Sequence, residues 1–231
     1  MNILVTGATK GIGNVIAKNL GNDIFVSGRN LDSLKEFTNY FQADISQKED
    51  LVALGDYIES NNIDVLINNA GIYHWEESDK LDIDIIKQTL DTNLTAALYL
   101  SSRALKNMKK NKFGRIINIG SISGVMGESG AIAYSASKAG LIGMTKALAL
   151  EVAEYGITVN TINPGWVDTE LGSNSIDDSG FSKEEILETI PQKRFVEPIE
   201  IANFIKYLIS PEAKGITGQS INLCAGLSVG Y

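Results

Sequence analysis

Asn2-Ile3-Leu4-Val5-Thr6-Gly7-Ala8-Thr9-Lys10-Gly11-Ile12-Gly13 is the stretch that decides the fold of this chain. Its first half is a short apolar run, typical of a strand that is buried on both faces of a parallel sheet. Its second half contains three glycines, and a helical pattern then continues to Leu20. Glycines at such a turn permit a tight bend and let a phosphate approach the backbone N–H groups at the helix N-terminus. The stretch therefore predicts a dinucleotide site. A purely structural glycine turn is the alternative, because the spacing differs from Gly-x-Gly-x-x-Gly.

Short apolar runs and helical patterns alternate along the rest of the chain. The apolar runs are expected to be strands at 23–27, 40–45, 63–67, 115–119, 157–162 and 220–223. The helical patterns lie between them, at 31–37, 47–60, 81–108, 131–153, 183–189 and 199–210. Such alternation predicts an α/β fold: a single domain over residues 1–231 with a Rossmann-type, doubly wound parallel sheet of about seven strands and helices on both faces. In such a sheet the ligand lies outside the carboxyl ends of the strands.

Composition and charge exclude several classes of function. The formal net charge of −8 argues against non-specific nucleic-acid binding, because such binding needs a basic surface. The chain has one cysteine, Cys224, and one histidine, His74, so we expect neither an internal disulfide nor a metal site. Its apolar runs are too short to span a bilayer, and no signal-peptide pattern precedes the first of them. We therefore expect a cytoplasmic protein that does not contact a membrane.

A second motif, Tyr134-Ser135-Ala136-Ser137-Lys138, begins a long alanine-rich helical pattern. Tyr134 and Lys138 are one helical turn apart, so a helix places both side chains on one face. A nearby ammonium favours the phenolate and lowers the pKa of a tyrosine, which is otherwise about 10. The pair therefore predicts a proton donor and acceptor, although the same spacing also occurs on many ordinary helices.

The loop after the second strand, Gly28-Arg29-Asn30, indicates which nicotinamide cofactor the site prefers. A site for NAD usually places an acid here to bind the ribose 2′-hydroxyl, whereas an arginine can pair with a 2′-phosphate. No acid stands in this loop, while Arg29 is present and Lys10 of the glycine turn offers a second cation. We therefore predict NADP(H) over NAD(H), with a solvated surface arginine as the alternative.

Two further segments carry expectations about the site. Asn93 lies among leucines and alanines of a helical pattern. If it is buried it must be hydrogen-bonded, and its role is then either structural or catalytic.

Residues 171–180 are rich in Gly, Ser, Asn and Asp and precede the helical pattern at 183–189. Irregular segments of this length in a compact domain are usually functional. We therefore expect a mobile substrate lid, within a region from about 166 to 195.

With these pieces in place, the chain resembles the short-chain dehydrogenase/reductase superfamily over essentially its whole length. The motifs that carry the resemblance stand in the family's order: Thr6-Gly7-x-x-x-Gly11-x-Gly13, Asp44, Asn68-Asn69-Ala70-Gly71, Asn93, Ser121, Tyr134-x-x-x-Lys138 and Asn163-Pro164-Gly165. Within the family, residues 114–121 and 216–219 look most like the 3-oxoacyl-[acyl-carrier-protein] reductases. Residues 221–227 are also similar to aromatic polyketide ketoreductases.

The resemblance implies a role for each motif. Tyr134 would exchange a proton with the substrate oxygen, and Lys138 would lower the pKa of that tyrosine and hold the nicotinamide ribose. Ser121, rather than Ser123, would hydrogen-bond the substrate oxygen. Asn93 would hold a water that links Lys138 to solvent. The residues expected to hold the cofactor, with Lys10 and Arg29 added from the argument above, are Gly7, Thr9, Lys10, Gly11, Ile12, Gly13, Arg29, Asp44, Ile45, Asn69, Ala70, Gly71, Tyr134, Lys138, Pro164, Gly165, Val167 and Thr169.

The expected reaction is the NADPH-dependent reduction of a ketone to a secondary alcohol, with a 3-oxoacyl thioester as the leading substrate. An acidic carrier protein needs basic docking residues near the site entrance. The run that offers them consists of Lys106, Lys109, Lys110, Lys112 and Arg115. Two features oppose a carrier: Glu154-Tyr155 stands where such reductases often have a basic residue, and the lid segment is acidic. The acids in that segment are Asp177, Asp178, Glu184, Glu185 and Glu188.

Two alternatives therefore stay open. One is a reductase or dehydrogenase of another small ketone or alcohol, such as a sugar, a cyclic alcohol or a polyketide. The other, from a different class, is a non-catalytic protein that senses NADP(H). For any of these we expect a homo-oligomer, a dimer or tetramer, because family members are commonly tetramers with long helices at one interface. The stripe of small residues Ala136, Gly140, Gly143 and Ala147 is compatible with that packing.

Overall fold

The computed structural model describes residues 1–229, apart from the side chains of residues 174 and 177–179. Its strands are β1 (Ile3–Thr6), β2 (Phe25–Gly28), β3 (Asn39–Gln42), β4 (Val65–Asn68), β5 (Gly114–Ile119), β6 (Ile157–Pro164) and β7 (Ser220–Leu223). They form one seven-stranded sheet in the order β3-β2-β1-β4-β5-β6-β7, and all neighbouring pairs are parallel. The direction of winding reverses between β1 and β4, so the predicted doubly wound parallel sheet is confirmed.

Helices occupy the connections between the strands. In chain order they are α1 (Gly11–Leu20), α2 (Leu31–Leu34), α3 (Lys48–Ser60), α4 (Ile83–Leu90), α5 (Ala96–Asn111), α6 (Ser123–Met126), α7 (Ile132–Val152), α8 (Glu170–Ser179), α9 (Lys183–Thr189) and α10 (Pro198–Leu208). Parallel strands need such crossovers because consecutive strands must start at the same end of the sheet.

Alternate side chains of the central strands point to opposite faces of the sheet, and helices cover both faces. On β1, Val5 belongs to a core cluster with Ile16 of α1 and Ile205 of α10. The preceding residue, Leu4, belongs to a second cluster with Leu100 of α5. Because both faces are buried, these strands are continuous apolar runs instead of alternating ones. The predicted helices on both faces are confirmed.

The long helical pattern predicted at 81–108 is interrupted. Between α4 and α5 the backbone forms a π-helical turn over Asp91–Thr95, which contains Asn93. A π-helical turn accommodates one extra residue and is frequently found at functional sites. The interruption changes which residues of the following helix face the core, and it turns Asn93 inward, where its side chain is 2% exposed.

The lid segment is helical, so the prediction of an irregular stretch at 171–180 is wrong. α8 begins after Thr169, whose Oγ1 accepts a hydrogen bond from the N–H of Gly172 at 3.2 Å. It ends at Gly180, which adopts a left-handed conformation with φ 76°. An N-cap and a C-terminal glycine define a helix even where intrinsic helix propensity is low. α9 spans the predicted residues 183–189.

An apolar cluster joins the two lid helices to the body of the protein. Ile176 of α8 packs with Ile186 and Ile190, and partly buried Trp166 and Leu227 lie against them. The acids Glu185 and Glu188 have local partners, since Glu185 completes a capping box with Ser182 and Glu188 pairs with Lys193. The predicted acids Asp177 and Asp178 have side chains outside the described part of the structure. The segment expected to be a lid therefore has its own small apolar cluster, which holds it beside the sheet.

Candidate active site

A cleft of about 370 Å³ opens at the carboxyl ends of the strands. The loops after β1, β2, β3, β4, β5 and β6 line it, and the start of α8 forms part of its rim. All eighteen residues expected to hold the cofactor line it: Gly7, Thr9, Lys10, Gly11, Ile12, Gly13, Arg29, Asp44, Ile45, Asn69, Ala70, Gly71, Tyr134, Lys138, Pro164, Gly165, Val167 and Thr169. Folding thus brings together residues from most of the length of the chain.

The glycine turn after β1 has the geometry of an anion site. Gly7 and Gly11 have φ values of 66° and 56°, a left-handed conformation that favours glycine. A Cβ on Gly13 would lie 2.2 Å from the carbonyl oxygen of Gly7, so only glycine fits where α1 meets the turn. α1 begins without a side-chain cap and without an acid in its first turn. Its first backbone N–H groups therefore remain available to a phosphate.

Hydrogen bonds fix the end of β4 to the glycine turn. The Oγ1 of Thr6 accepts hydrogen bonds from the backbone N–H groups of Asn69 and Ala70, at 3.1 and 3.2 Å. The Nδ2 of Asn69 donates in return to the carbonyl oxygens of Thr6 and Gly7, at 2.9 and 3.2 Å. These bonds explain why an Asn-Ala-Gly segment lies beside the turn. They hold the floor of the cleft in one arrangement.

Tyr134 and Lys138 lie side by side at the inner end of the cleft, on the first turns of α7. The Nζ of Lys138 lies 5.5 Å from the centre of the Tyr134 ring and donates a hydrogen bond to the carbonyl oxygen of Ile119 at 2.8 Å. Both side chains are buried, at 9% and 4% exposure. Ser121, from the loop after β5, lines the same cleft and lies close enough to Tyr134 to lower its pKa. The three side chains thus converge on one point of the cleft.

Burial controls the acidity of this pair. It raises the pKa of Tyr134 to about 12, an effect that the nearby Ser121 hydroxyl opposes and the negative charge of Glu128 reinforces. Burial also lowers the pKa of Lys138 to about 8. The low pKa expected for Tyr134 is therefore not found in this structure, because burial raises it. The physical reason is that both groups are removed from water, and the ammonium is directed to the carbonyl of Ile119 rather than to the phenol oxygen.

Asn93 lies next to this group but outside the main cleft. Its Oδ1 accepts from the N–H of Ile72 at 2.8 Å, and its Nδ2 donates to the carbonyl oxygen of Ile72 at 2.9 Å and to Ser137 Oγ at 3.1 Å. A second cavity of about 10 Å³ lies against Asn93. This is close to the smallest volume that holds one water molecule. Asn93 therefore fixes the loop after β4 and borders a space for a single water.

The cationic end of the cleft has both of its predicted basic residues at the surface. Arg29 lies 3.9 Å from Asp44, and its side chain is 67% exposed. Lys10 forms an ion pair at 2.9 Å with Glu170, the first residue of α8. Exposed pairs of this kind are weak and can exchange partners. Lys10 and Arg29 thus flank the region where β1 and β2 end, and a bound phosphate would compete with their acidic partners.

Two cleft residues, Tyr73 and Glu128, were not predicted from the sequence, and a third, Ser123, was set aside in favour of Ser121. Tyr73 packs edge-on against Tyr134, with the ring centres 5.1 Å apart. Its hydroxyl donates to Glu128 at 2.9 Å, and Ser123 donates to the other carboxylate oxygen at 2.5 Å. An acid in a loop otherwise made of small residues, six positions before Tyr134, was the available signal.

The basic run expected near the site entrance lies at the other end of the sheet. It occupies the end of α5 and the start of β5, whereas the cleft follows the end of β5 at Ile119. Lys106 pairs with Glu59 at 2.6 Å, and Lys109 pairs with Glu151 at 2.9 Å. Arg115 is buried, and its Nη1 donates to the carbonyl oxygens of Gly114 and Gly156. The run is therefore not available as a docking surface beside the cleft.

Two kinds of feature are absent from the described part of the chain. Among residues 1–229, no helix is both long enough and apolar enough to cross a membrane. The described side chains likewise include no group of three or more His, Cys, Asp or Glu residues that could hold a metal ion.

Known proteins match this chain over nearly its full length. The 3-oxoacyl-[acyl-carrier-protein] reductase of Rickettsia bellii is 38% identical over 234 residues, covering 97% of this chain and 95% of the relative. A variant of the actinorhodin polyketide ketoreductase, solved with NADPH, is 35% identical with a TM-score of 0.92, covering 99% of this chain and 97% of its own. An NADPH-dependent reductase involved in bacilysin biosynthesis is 29% identical with a TM-score of 0.93, covering 100% and 99%.

The family profile described as short chain dehydrogenase matches residues 1–180, which include the glycine turn, the Tyr134–Lys138 pair and β6. The profile match, the sequence similarity to whole relatives and the fold shared with solved structures all agree with a cleft built from the family's motifs. The chain is therefore an oxidoreductase that uses a nicotinamide cofactor, and it belongs to the short-chain dehydrogenase/reductase family.

Proposed function

We propose that this chain reduces the keto group of a 3-oxoacyl thioester, carried on an acyl carrier protein, to a hydroxyl group with NADPH. The observation that carries the proposal is the cleft in which Ser121, Tyr134 and Lys138 meet. It is supported by the 36–38% identity to relatives named 3-oxoacyl-[acyl-carrier-protein] reductase. The cytoplasm is the expected compartment for this reaction.

The residues of the cleft fit a nicotinamide dinucleotide. The uncapped N-terminus of α1 suits the pyrophosphate. Lys138 has three N–H groups and gives one to Ile119, which leaves donors for ribose hydroxyls. The wall formed by Pro164, Gly165, Val167 and Thr169 suits the nicotinamide. When bound, the cofactor supplies the hydride that reduces the keto carbon.

Tyr134 then acts as the proton donor to the substrate oxygen. Its pKa of about 12 keeps the hydroxyl protonated at neutral pH, which suits an acid. Loss of that proton leaves a phenolate whose ring centre lies 5.5 Å from the ammonium of Lys138. Since Lys138 has a pKa of about 8, it is charged at neutral pH and attracts the phenolate as the charge develops. Lys138 thus stabilises the transition state more than the ground state.

Ser121 and Asn93 complete the arrangement. The hydroxyl of Ser121, which lines the same cleft as Tyr134, positions the substrate oxygen next to the phenol. Asn93 fixes the loop after β4 through Ile72, and it borders the cavity in which a water would connect Lys138 to solvent. Both roles are assigned by proximity and by the resemblance of the motifs.

The preference for NADPH over NADH is assigned to Arg29 and Lys10. Arg29 has no competing acid within its own loop, and its partner Asp44 lies at the long distance of 3.9 Å. A 2′-phosphate carries more charge than one exposed carboxylate and can accept two hydrogen bonds from a guanidinium. NADH would leave Arg29 without that partner, so its binding should be weaker.

The lid and the loop after β5 form the part of the cleft left for substrate. Trp166, Met126, Leu227 and Tyr73 give it apolar walls, which suit the acyl chain of a thioester. The lid helices α8 and α9 would cover that chain and exclude water during the reaction. A carrier protein would have to dock at this mouth, because the basic run lies at the other end of the sheet.

A substrate panel tests the proposal. Initial rates of NADPH oxidation should be highest with acetoacetyl and longer 3-oxoacyl thioesters, and much lower with sugars and cyclic ketones. NADH at matched concentration should support slower turnover. Saturable turnover with free ketones but none with any thioester would contradict the proposed substrate. It would favour the alternative, in which the protein is a reductase of another small ketone. Binding of NADPH without turnover on any carbonyl compound would instead favour an NADP(H) sensor.

A further inference from the structure

The charged residues of the cleft are divided between its two ends. Those that line the described part of it are Lys10, Arg29, Asp44, Glu128, Lys138 and Glu170. The cationic end holds four of them as two ion pairs, Lys10 with Glu170 and Arg29 with Asp44. Lys138 lies beside Tyr134. Among these described residues, Glu128 is therefore the one carboxylate at the substrate end.

Two donors from different loops hold the carboxylate of Glu128. The hydroxyl of Ser123, in the loop after β5, donates to Oε2 at 2.5 Å. The hydroxyl of Tyr73, in the loop after β4, donates to Oε1 at 2.9 Å. A carboxylate oxygen accepts two hydrogen bonds, so both oxygens are oriented by the protein and neither is saturated by these bonds. The negative charge is thus kept at a defined place in the cleft.

A further contact joins the same two loops beside Glu128. The backbone N–H of Glu76 donates to the carbonyl oxygen of Gly130 at 2.7 Å. Gly130 has a left-handed φ of 77°, and the indole of Trp75 occupies the space that a Cβ at this position would need. The loops after β4 and β5 therefore form one continuous wall, in which Glu128 lies between two points of attachment.

This wall places Glu128 next to the side chains that contact the keto oxygen in the proposed function. Ser123 Oγ, which is bonded to Glu128, lies 3.0 Å from Ser121 Oγ. The ring of Tyr73 packs edge-on against Tyr134, with the centres 5.1 Å apart. Glu128 is thus separated by a single side chain from Ser121 and by another from Tyr134. A small ketone bound at these two residues has its substituents close to the carboxylate.

We propose that Glu128 determines substrate specificity by excluding keto compounds that carry a carboxylate next to the keto group. The site then accepts a 3-oxoacyl group in a neutral linkage, such as a thioester, and rejects the free 3-oxo acid. The inference rests on the proposed function, which places the keto oxygen between Ser121 and Tyr134.

The physical basis is the repulsion between two like charges in a partly dry cleft. A single CH₂ group separates the carboxylate of a 3-oxo acid from its keto carbon, so binding brings that carboxylate close to Glu128. At an effective dielectric constant of about 20, two like unit charges about 6 Å apart weaken binding by roughly a hundredfold. Glu128 is half-buried, and solvent on its open side reduces the effect. We therefore expect discrimination of about tenfold or more.

The amide acetoacetamide and the acid acetoacetate provide a matched pair of probes, because they have nearly the same shape and differ in charge. Their binding to the complex of the enzyme with NADP⁺ is measured by calorimetry, for wild type and Glu128→Gln. Glu128→Gln should bind acetoacetate about tenfold or more tightly than wild type does, and bind the amide within about twofold of wild type. Lys138 attracts the acid in both proteins, so the comparison isolates the charge of Glu128. Glu151→Gln, an exposed acid paired with Lys109 at the other end of the sheet, is the control and should match wild type.

Tyr73→Phe separates the charge of Glu128 from its structural role. This variant removes one donor and keeps the carboxylate, so it should retain the preference for the amide over the acid. Equal changes for both probes in Glu128→Gln, or equal affinity of wild type for both, would overturn the inference and leave the proposed function standing. Failure of wild type to reduce the neutral thioester acetoacetyl-N-acetylcysteamine would instead contradict the proposed function, whereas the binding comparison needs no turnover and would still test Glu128.

Discussion

Lys138 is a buried cation whose position favours catalysis over stability. Its pKa falls from 10.5 to about 8 because burial removes the ammonium from water. A decrease of that size corresponds to about 3 kcal/mol of destabilisation at pH values where the lysine is charged in both the folded and unfolded states. The hydrogen bond to Ile119 offsets about 1 kcal/mol of this, as typical hydrogen bonds do. Under the proposed function this charge has a role, because it stabilises the phenolate of Tyr134.

The variant Lys138→Met should be inactive yet more stable than wild type at pH 7, by about 1 to 2 kcal/mol, because it removes the desolvated charge. Between pH 8 and 10.5 the unfolded wild-type chain binds a proton that the folded protein has released, so wild-type stability rises with pH over that window. The advantage of the variant should therefore shrink as pH rises through it. Urea unfolding at pH 7 and pH 9.5 measures this, with the exposed Lys146→Met as control. Lower stability of Lys138→Met at pH 7 would contradict it.

Arg29→Ala should weaken NADPH binding far more than NADH binding, because only NADPH carries the 2′-phosphate. We expect a loss of about tenfold to a hundredfold in Kd for NADPH, as for one charge-assisted contact, and little change for NADH. Fluorescence titration with both cofactors measures this. The surface variant Lys35→Ala, whose lysine pairs with Asp32, serves as the control. Equal losses for the two cofactors would mean that the 2′-phosphate is bound elsewhere.

At this scale the sequence predicted that Tyr134 and Lys138 lie together but not their acidity. The spacing of Tyr134 and Lys138 places them on one helix face, as observed. The direction of both pKa changes depends on burial, which arises from the packing of α7 against β5 and β6 and is not contained in a spacing. Glu128 was missed for a related reason: the role of a carboxylate in a loop depends on the groups that it contacts, and the sequence does not give those contacts.

At the scale of elements, α8 is defined by its ends rather than by its interior. Thr169 caps its start, and Gly180 ends it with a left-handed φ of 76°. The interior contains Gly, Ser, Asn and Asp, which have low helix propensity, so the sequence predicted an irregular segment. The π-helical turn at Asp91–Thr95 is likewise an effect of tertiary packing, since the surrounding residues 81–108 have an uninterrupted helical pattern. By contrast, β1, α1, α9 and β7 lie close to their predicted positions, because in each the residue pattern and the residues that bound it predict the same element.

Gly180→Ala should destabilise the end of α8 without touching the cleft. A Cβ at Gly180 meets no atom within 4 Å, so the effect is the cost of a left-handed alanine, about 1 kcal/mol. We expect faster limited proteolysis within the lid and a higher KM for the thioester, with nearly unchanged global unfolding. Gly215→Ala is the matched control, since its Cβ is equally unobstructed and its φ is not left-handed. Equal proteolysis of the two variants would contradict the role of Gly180.

At the scale of the whole molecule, the order of the elements predicted the topology. Alternating strands and helices allow few arrangements once crossovers are right-handed, and the observed strand order is one of them. The position of the basic run was predicted wrongly. The run precedes β5 in sequence and therefore lies at the start of that strand, whereas the cleft lies at its end. Docking of an acidic partner therefore has to be sought at the cleft mouth and the lid.

Self-association is the remaining prediction at this scale. Ala136, Gly143 and Ala147 of the small-residue stripe are exposed, and a Cβ on Gly143 would meet no atom of its own chain within 4 Å. Leu150, further along α7, is 86% exposed. Gly143→Arg should therefore fold normally but lower the oligomeric mass seen by sedimentation velocity, because the arginine would clash with a neighbouring helix. Gly215→Arg should leave the mass unchanged. An unchanged mass in both variants would exclude α7 from the interface.

The most direct test of the account is the initial rate of NADPH consumption with an acetoacetyl thioester, measured for wild type and for Tyr134→Phe, with NADPH binding followed by fluorescence. The account predicts turnover by wild type, and a loss of about a hundredfold or more in Tyr134→Phe with binding of NADPH nearly intact, because only the proton donor has been removed. A Tyr134→Phe variant that keeps most of the wild-type rate would contradict it.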